Sequence, residues 1–152
     1  MSIEIAKSFI KATTEVLSTM AMIFPVAGKP YVKKDNTAQG DVTGVIGLTG
    51  DRQGTISVTF TQQCALAVVK NMLGNDIQDI LQDTRDAVGE ITNMISGKTR
   101  QLLAQTGLTI LSATPSVIMG KDHSVYHISS EPIIAIPFST DFGDFTVEFC
   151  FQ

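Results

Sequence analysis

The sequence has no run of the roughly 18 apolar residues that a membrane-crossing helix needs, so no transmembrane span and no membrane partner are expected. Its opening, MSIEIAKSFIK, lacks the basic flank, continuous apolar stretch and cleavage site of a secretion signal, which points to the cytoplasm. Cysteine is scarce. Cys64 and Cys150 lie far apart, each in an apolar run, so buried free thiols in a reducing compartment are expected. Positive charge is scarce as well: 11 Lys and Arg stand against 15 Asp and Glu, for a net charge of −4. Lys33 and Lys34 are the one adjacent basic pair, and no segment gathers the basic face that a nucleic-acid partner requires.

Catalytic signatures are missing too. His123 and His127 have a helical metal spacing, but GKDHSVYHISS reads as turn and strand. On a strand they would stand about 13 Å apart, too far for one zinc ion. No C-x-x-C or H-E-x-x-H occurs, so no metal site is expected. MGKD and GDRQGT pair glycine with a basic residue outside any strand–loop–helix phosphate cradle, and hairpin turns explain both. No serine sits in a nucleophile elbow.

What is present is a chain of 152 residues with 43% hydrophobic content, enough for one domain over residues 1–152 with a sizeable core. Residues 3–22 carry Ile5, Phe9, Ala12, Val16, Leu17 and Met20 at helical spacing, and Pro25 stops them. Residues 41–60 alternate around TGDRQG as a hairpin, with Val45 taken as shifted by Gly44. A helix over 62–73 follows, with Thr61 as N-cap and Gly74 as stop. A longer helix is expected from Thr84 to Gln105, with Asp83 as N-cap, Asp86 complementing the positive helix end and Gly107 as terminator. Three strand-like segments close the chain: LTILSATPSVIM, PIIAIPFS and DFTVEFCF. The expected fold is therefore α/β in the broad sense (α+β), a mixed or mainly antiparallel sheet covered by long helices. The halves hint at an internal repeat, with Glu15 and Ser18 standing where the second half has Glu90 and Asn93.

The long helix carries the one pattern that calls for chemistry. Ala87, Val88, Ile91, Met94, Ile95 and Leu102 gather on one face, and Asp86, Glu90, Asn93 and Gly97 fall in a narrow arc opposite. Glu90 and Asn93 are one turn apart, roughly 5 Å along the axis, so both can reach one partner group. Glycine in an exposed helix costs about 1 kcal/mol relative to alanine. Gly89 and Gly97 beside the stripe therefore suggest close approach by another protein's backbone. On the residues alone, an ordinary solvated face remains the simpler reading.

A resemblance changes that balance. Asp86-Ala-Val-Gly-Glu90-Ile-Thr-Asn93, a D-x-x-x-E-x-x-N pattern followed by Pro115, resembles the signature of the CheC/CheX/FliY chemotaxis phosphatases. SFIKATTEVLSTM resembles the N-terminal helix of the CheX-like members, and IIAIPFSTDFGDFTVEFCF resembles their closing hairpin. The resemblance implies removal of phosphate from the aspartate of a phosphorylated CheY-like response regulator. Asn93 would orient the attacking water and Glu90 would pair with the regulator's lysine. Asp86, Gly89 and Gly97 would belong to the partner-binding face. No cofactor of the chain's own is implied, because the regulator brings its Mg²⁺. A homodimer is implied too, and the apolar DFTVEFCF strand suggests pairing at an exposed sheet edge. The rival is a regulator-binding adaptor of flagellar-switch-like fold whose motif only docks.

Overall fold

The computed structural model describes residues 3–35, 37–38, 40–121, 123–127 and 131–152. Helix α1 (Ile3–Ala21) buries Ile5, Phe9, Ala12, Val16 and Leu17, as its spacing demands. It ends just before Met22, whose φ of 52° turns the chain out of the helix ahead of Pro25. Two short strands follow that periodicity does not signal, β1 (Val26–Ala27) and β2 (Tyr31–Lys33). The expected hairpin is β3 (Val42–Gly50) and β4 (Gly54–Phe60). Helix α2 (Gln62–Leu73) is capped by Thr61, whose hydroxyl accepts from the Cys64 N–H, and is closed by Gly74. After a 3₁₀ turn at Gly74–Asp76 comes α3 (Ile80–Ala104). Strands β5 (Ile110–Ser112), β6 (Ser116–Met119), β7 (Ile133–Thr140) and β8 (Gly143–Phe151) complete the chain.

All eight strands join one sheet of order β1-β7-β8-β4-β3-β5, with β2 also on β7 and β6 also on β3. Among the described residues every strand pair is antiparallel. The terminal strand corrects one expectation. β8 lies between β7 and β4 in the middle of the sheet, so it has no free edge for a second copy. Residues 145–151 are buried on both faces, which accounts for the apolar run. The edges belong to β1 and β2 on one side and to β5 and β6 on the other.

The helices cover one face. Phe9 of α1 stacks on Phe149 with ring centroids 4.4 Å apart, and Phe138 stacks on Phe145 at 4.8 Å. Val42, Gly44, Ile46 and Leu48 point the same way without any shift, while Val45 is half-buried on the other side. Gly44 is bare because α3 needs the room: a Cβ there would run into the Thr92 side chain.

The opposite face is polar and still buried. Thr43 and Thr59 share a hydrogen bond of 2.8 Å, and the His123 ring joins Thr43 to the Gly120 carbonyl. Lys33 donates to Glu148 at 2.6 Å, and His127 Nε2 lies 3.3 Å from the other carboxylate oxygen. Val125 and Ala38, from the connections that cross this face, close it over.

One irregularity matters for the site. Leu48 pairs with Ser112, but Val45 pairs with Ser116, so residues 113–115 oppose only Ile46 and Gly47. This one-residue bulge breaks the expected single strand into β5 and β6 and places Pro115, which has no N–H to give a ladder, at the break.

Candidate active site

Helix α3 starts earlier than its apolar periodicity suggests. Asp79 is the N-cap, with its carboxylate accepting from the N–H groups of Leu81 and Gln82. Asp83 instead reaches back from the first turn to accept from the N–H groups of Gln78 and Asp79. The two aspartates together take up the N–H groups of Asp79, Leu81 and Gln82 at the helix start, where Asp83 alone was expected as the cap. Asp86 is consequently past the first turn and does not neutralise the helix end; Gln82 Nε2 donates to it at 2.8 Å. The far end closes as expected around Gly107, at φ 91°. Leu108 N–H reaches the Leu103 carbonyl at 3.1 Å, and Gly107 N–H reaches the Ala104 carbonyl at 3.0 Å.

The buried side of α3 holds Ala87, Val88, Ile91 and Ile95, while Met94 is half-buried. Leu102, expected in the core, is half-buried, and Leu103 takes the interior position. The buried arc is wider than the apolar one because Thr84, Thr92, Ser96 and Thr99 are buried too. These small polar residues let α3 lie close to the sheet and to α1. Lys98 does lie at the edge of this face, where its ammonium pairs with Glu15 of α1 at 3.1 Å. In the first half of the suggested repeat, Glu15 is thus engaged by α3, and Ser18 bonds the Glu15 carbonyl within its own helix.

On the outer side, Asp86, Glu90 and Asn93 are exposed and Gly97 is half-exposed. A groove of about 390 Å³ runs between this side of α3 and β6, lined by Arg85, Asp86, Gly89, Glu90, Asn93, Pro115 and Val117. Four of the five residues singled out in the sequence therefore line one groove with Pro115, and Gly97 lies beyond it. Gly89 is buried, and a Cβ there would touch Val117 Cγ2 at 3.4 Å. The neighbour beside this bare position is the Val117 side chain of the chain's own β6. Arg85 and Gln82 escaped the sequence reading. Arg85 Nη1 donates to the Val117 carbonyl at 2.9 Å and ties α3 to the strand that carries the groove's other wall.

The other candidates part company. His123 and His127 lie on separate hydrogen-bonded clusters of the far face, one with Thr43 and one with Glu148. Among the described residues no group of three His, Cys, Asp or Glu side chains could hold a metal ion. Both cysteines are free and buried. Burial pushes the Cys64 thiol up to about 11, which leaves it a poor nucleophile. Among the described residues no helix is long and apolar enough to cross a membrane.

An antiparallel sheet with three helices on one face is the fold that this chain shares with the CheC-like proteins. Within that class the chain belongs to the family described as chemotaxis phosphatase CheX, which residues 42–139 match. The crystal structure of a chemotaxis protein CheX from Desulfovibrio desulfuricans superimposes with a TM-score of 0.94 at 64% identity, covering 99% of this chain and 100% of that one. The CheY-P phosphatase CheX of Thermotoga maritima is 29% identical over 123 residues, 80% of this chain and 79% of its own. A CheX–CheY–BeF₃–Mg²⁺ complex from Borrelia burgdorferi contains a chain with a TM-score of 0.78 at 23% identity, covering 99% of each, a likeness of fold.

Proposed function

We infer that this chain hydrolyses the aspartyl phosphate of a CheY-type response regulator, with Asn93 positioning the water and Glu90 docking the regulator. The observation that carries this reading is the exposed Glu90–Asn93 pair, one helical turn apart in the groove that also holds Pro115 and open to a protein-sized partner. The T. maritima relative acts on phosphorylated CheY by its name, and the B. burgdorferi relative is in complex with CheY, which supports the choice of substrate.

An acyl phosphate already has a good leaving group, so its hydrolysis needs orientation and charge stabilisation more than a strong base. The Asn93 carbonyl oxygen accepts a hydrogen from the water and its amide NH₂ donates to a second group, fixing the line of attack. The water oxygen bonds to phosphorus, the bond to the aspartyl oxygen breaks, and phosphate and a free carboxylate leave. Glu90 contributes a carboxylate for the regulator's lysine, and the regulator's Mg²⁺ arrives as part of the substrate. The same reading carries a homodimer, for which, among the described residues, strand addition is open at the β1–β2 or β5–β6 edge.

Single-turnover dephosphorylation tests it. Asn93→Ala should lose about 10²-fold or more in rate, because its amide acts chiefly in the transition state. Affinity for a beryllofluoride-activated regulator should largely survive. If the wild-type chain leaves acyl-phosphate lifetime unchanged while binding the regulator, the adaptor reading replaces this one.

A further inference from the structure

Helix α3 carries three cations, Arg85, Lys98 and Arg100. Arg85 donates to the Val117 carbonyl, and Lys98 pairs with Glu15. Arg100 has neither a hydrogen bond nor an ion pair among the described residues, and its Nε is buried without a partner. An unpaired guanidinium that is half-buried calls for an acceptor, and this chain supplies none. Its place on the helix says where one could come from. At 100° per residue, Arg100 comes round to within about 20° of Asn93, inside the arc that holds Asp86, Glu90 and Gly97. It starts two turns further along, but one of its terminal nitrogens lies 3.7 Å from the position that a Gly97 Cβ would take. The guanidinium thus rests on the bare turn at Gly97, one turn from Asn93. A carboxylate, an amide and a cation follow one another along one line of the helix.

We propose that Arg100 is a docking residue that takes a carboxylate on the rim of the regulator's active site. The proposal rests on the reading of this face of α3 as the one the regulator meets. A protein partner covers about 800 Å² on each side, a disc of about 16 Å radius, so one centred on Asn93 spans both Glu90 and the guanidinium. Side chains on a helix lean towards its start, which carries the Asn93 amide towards Glu90 and leaves the guanidinium a turn behind it. That separation suits a group beside the phosphorylated aspartate better than the phosphoryl group itself. A regulator that brings Mg²⁺ surrounds it with oxygen ligands, commonly carboxylates, so acidic side chains are at hand there. The planar fork of an arginine matches a carboxylate with two parallel hydrogen bonds. Opposite charges then flank Asn93, with Glu90 on the regulator's lysine and Arg100 on a carboxylate. Reversed seating would set like charges together, so the two contacts fix the direction in which the regulator lies along α3.

The test is steady-state dephosphorylation of a phosphorylated CheY-type regulator by the wild type, Arg100→Gln, Arg100→Lys and Lys70→Gln, with affinity for the beryllofluoride-activated regulator measured alongside. Lys70→Gln removes the same charge from the exposed side of α2, where Lys70 lies beside Phe142 of the β7–β8 turn. Arg100→Gln should raise KM about ten-fold and weaken binding equally, while kcat holds. Arg100→Lys keeps the charge and loses the fork, so its affinity should fall between those of Arg100→Gln and the wild type. Lys70→Gln should match the wild type. If the wild type is active and Arg100→Gln leaves KM and affinity unchanged, Arg100 is not a docking residue, although the phosphatase reading stands. A fall in kcat with KM unchanged would place the cation on the phosphoryl group and overturn the proposal. Arg100→Lys binding as weakly as Arg100→Gln would show that charge does not carry the contact, and would overturn it too. A wild type that binds the regulator without dephosphorylating it overturns the phosphatase reading, and the affinities alone then decide for or against Arg100.

Discussion

In the proposed mechanism Glu90 and Asn93 differ in when they act, and the difference is measurable. There a charge pair between Glu90 and the regulator's lysine forms on docking and persists through the reaction, so Glu90→Ala should lower affinity and rate together. Glu90→Gln keeps the shape and removes the charge. Its defect, read as Kd for beryllofluoride-activated regulator, should shrink as salt rises and the wild-type pair is screened. A defect independent of salt would mean that Glu90 acts by hydrogen bonding alone. These two residues, with Asp86, were legible because exposed polar side chains at helical spacing leave a pattern in the sequence. Arg85 was not. Its partner is a backbone carbonyl 32 residues away, and no local periodicity records such a bond. Asp79 was passed over as the cap because the turn from Ile80 to Asp83 is largely exposed and adds little to the apolar rhythm that marked the helix from Thr84.

Element by element, the long helices and the two hairpins follow from spacing and turn residues, whereas the way they meet does not. Gly44 shows why. In the sequence it looks like a break in the alternation of β3, yet in the sheet it is the contact point for Thr92 of α3. Gly44→Ala should therefore destabilise by about 1–3 kcal/mol, the usual cost of overfilling a packed interior. Thr92→Ala removes the hydroxyl that stands nearest and leaves only its Cβ close by, so the double variant should recover part of that loss. Urea midpoints of the four proteins give the coupling; additive losses would mean that the helix is seated by other contacts. Strands β1 and β2, of two and three residues, are too short for any period to register. The centrality of β8 was missed because strand order depends on partners distant in sequence. Its polar residues, Thr146 and Glu148, are buried under the far-face connections.

At the scale of the whole molecule, the far face makes stability depend on acidity. Burial alone would push the Glu148 carboxyl up, but hydrogen bonds from His127 and Lys33 and the lysine's charge outweigh it and hold it below the ordinary 4.5. In the unfolded chain it returns to that ordinary value. The cluster therefore contributes its full stability above about pH 4.5, and the contribution disappears as pH falls through the lower folded value. Urea midpoints should drop on acidification through this range, and Glu148→Gln should flatten the drop. At neutral pH the same variant should cost about 3–5 kcal/mol, since it leaves Lys33 buried without its counter-charge. An acid limb of unchanged slope in Glu148→Gln would assign the acid sensitivity to other carboxylates.

The place of β8 also bears on how the molecule comes into being. A ribosome releases the helices and the β3–β4 hairpin first, but β4 and β7 have nothing between them until residues 143–151 have been synthesised. Until then the seam along Ile56, Val58 and Phe60 has no partner strand and stays open in the nascent chain. The sheet cannot close piece by piece during translation, because the strand that joins its two sides is made after both of its neighbours.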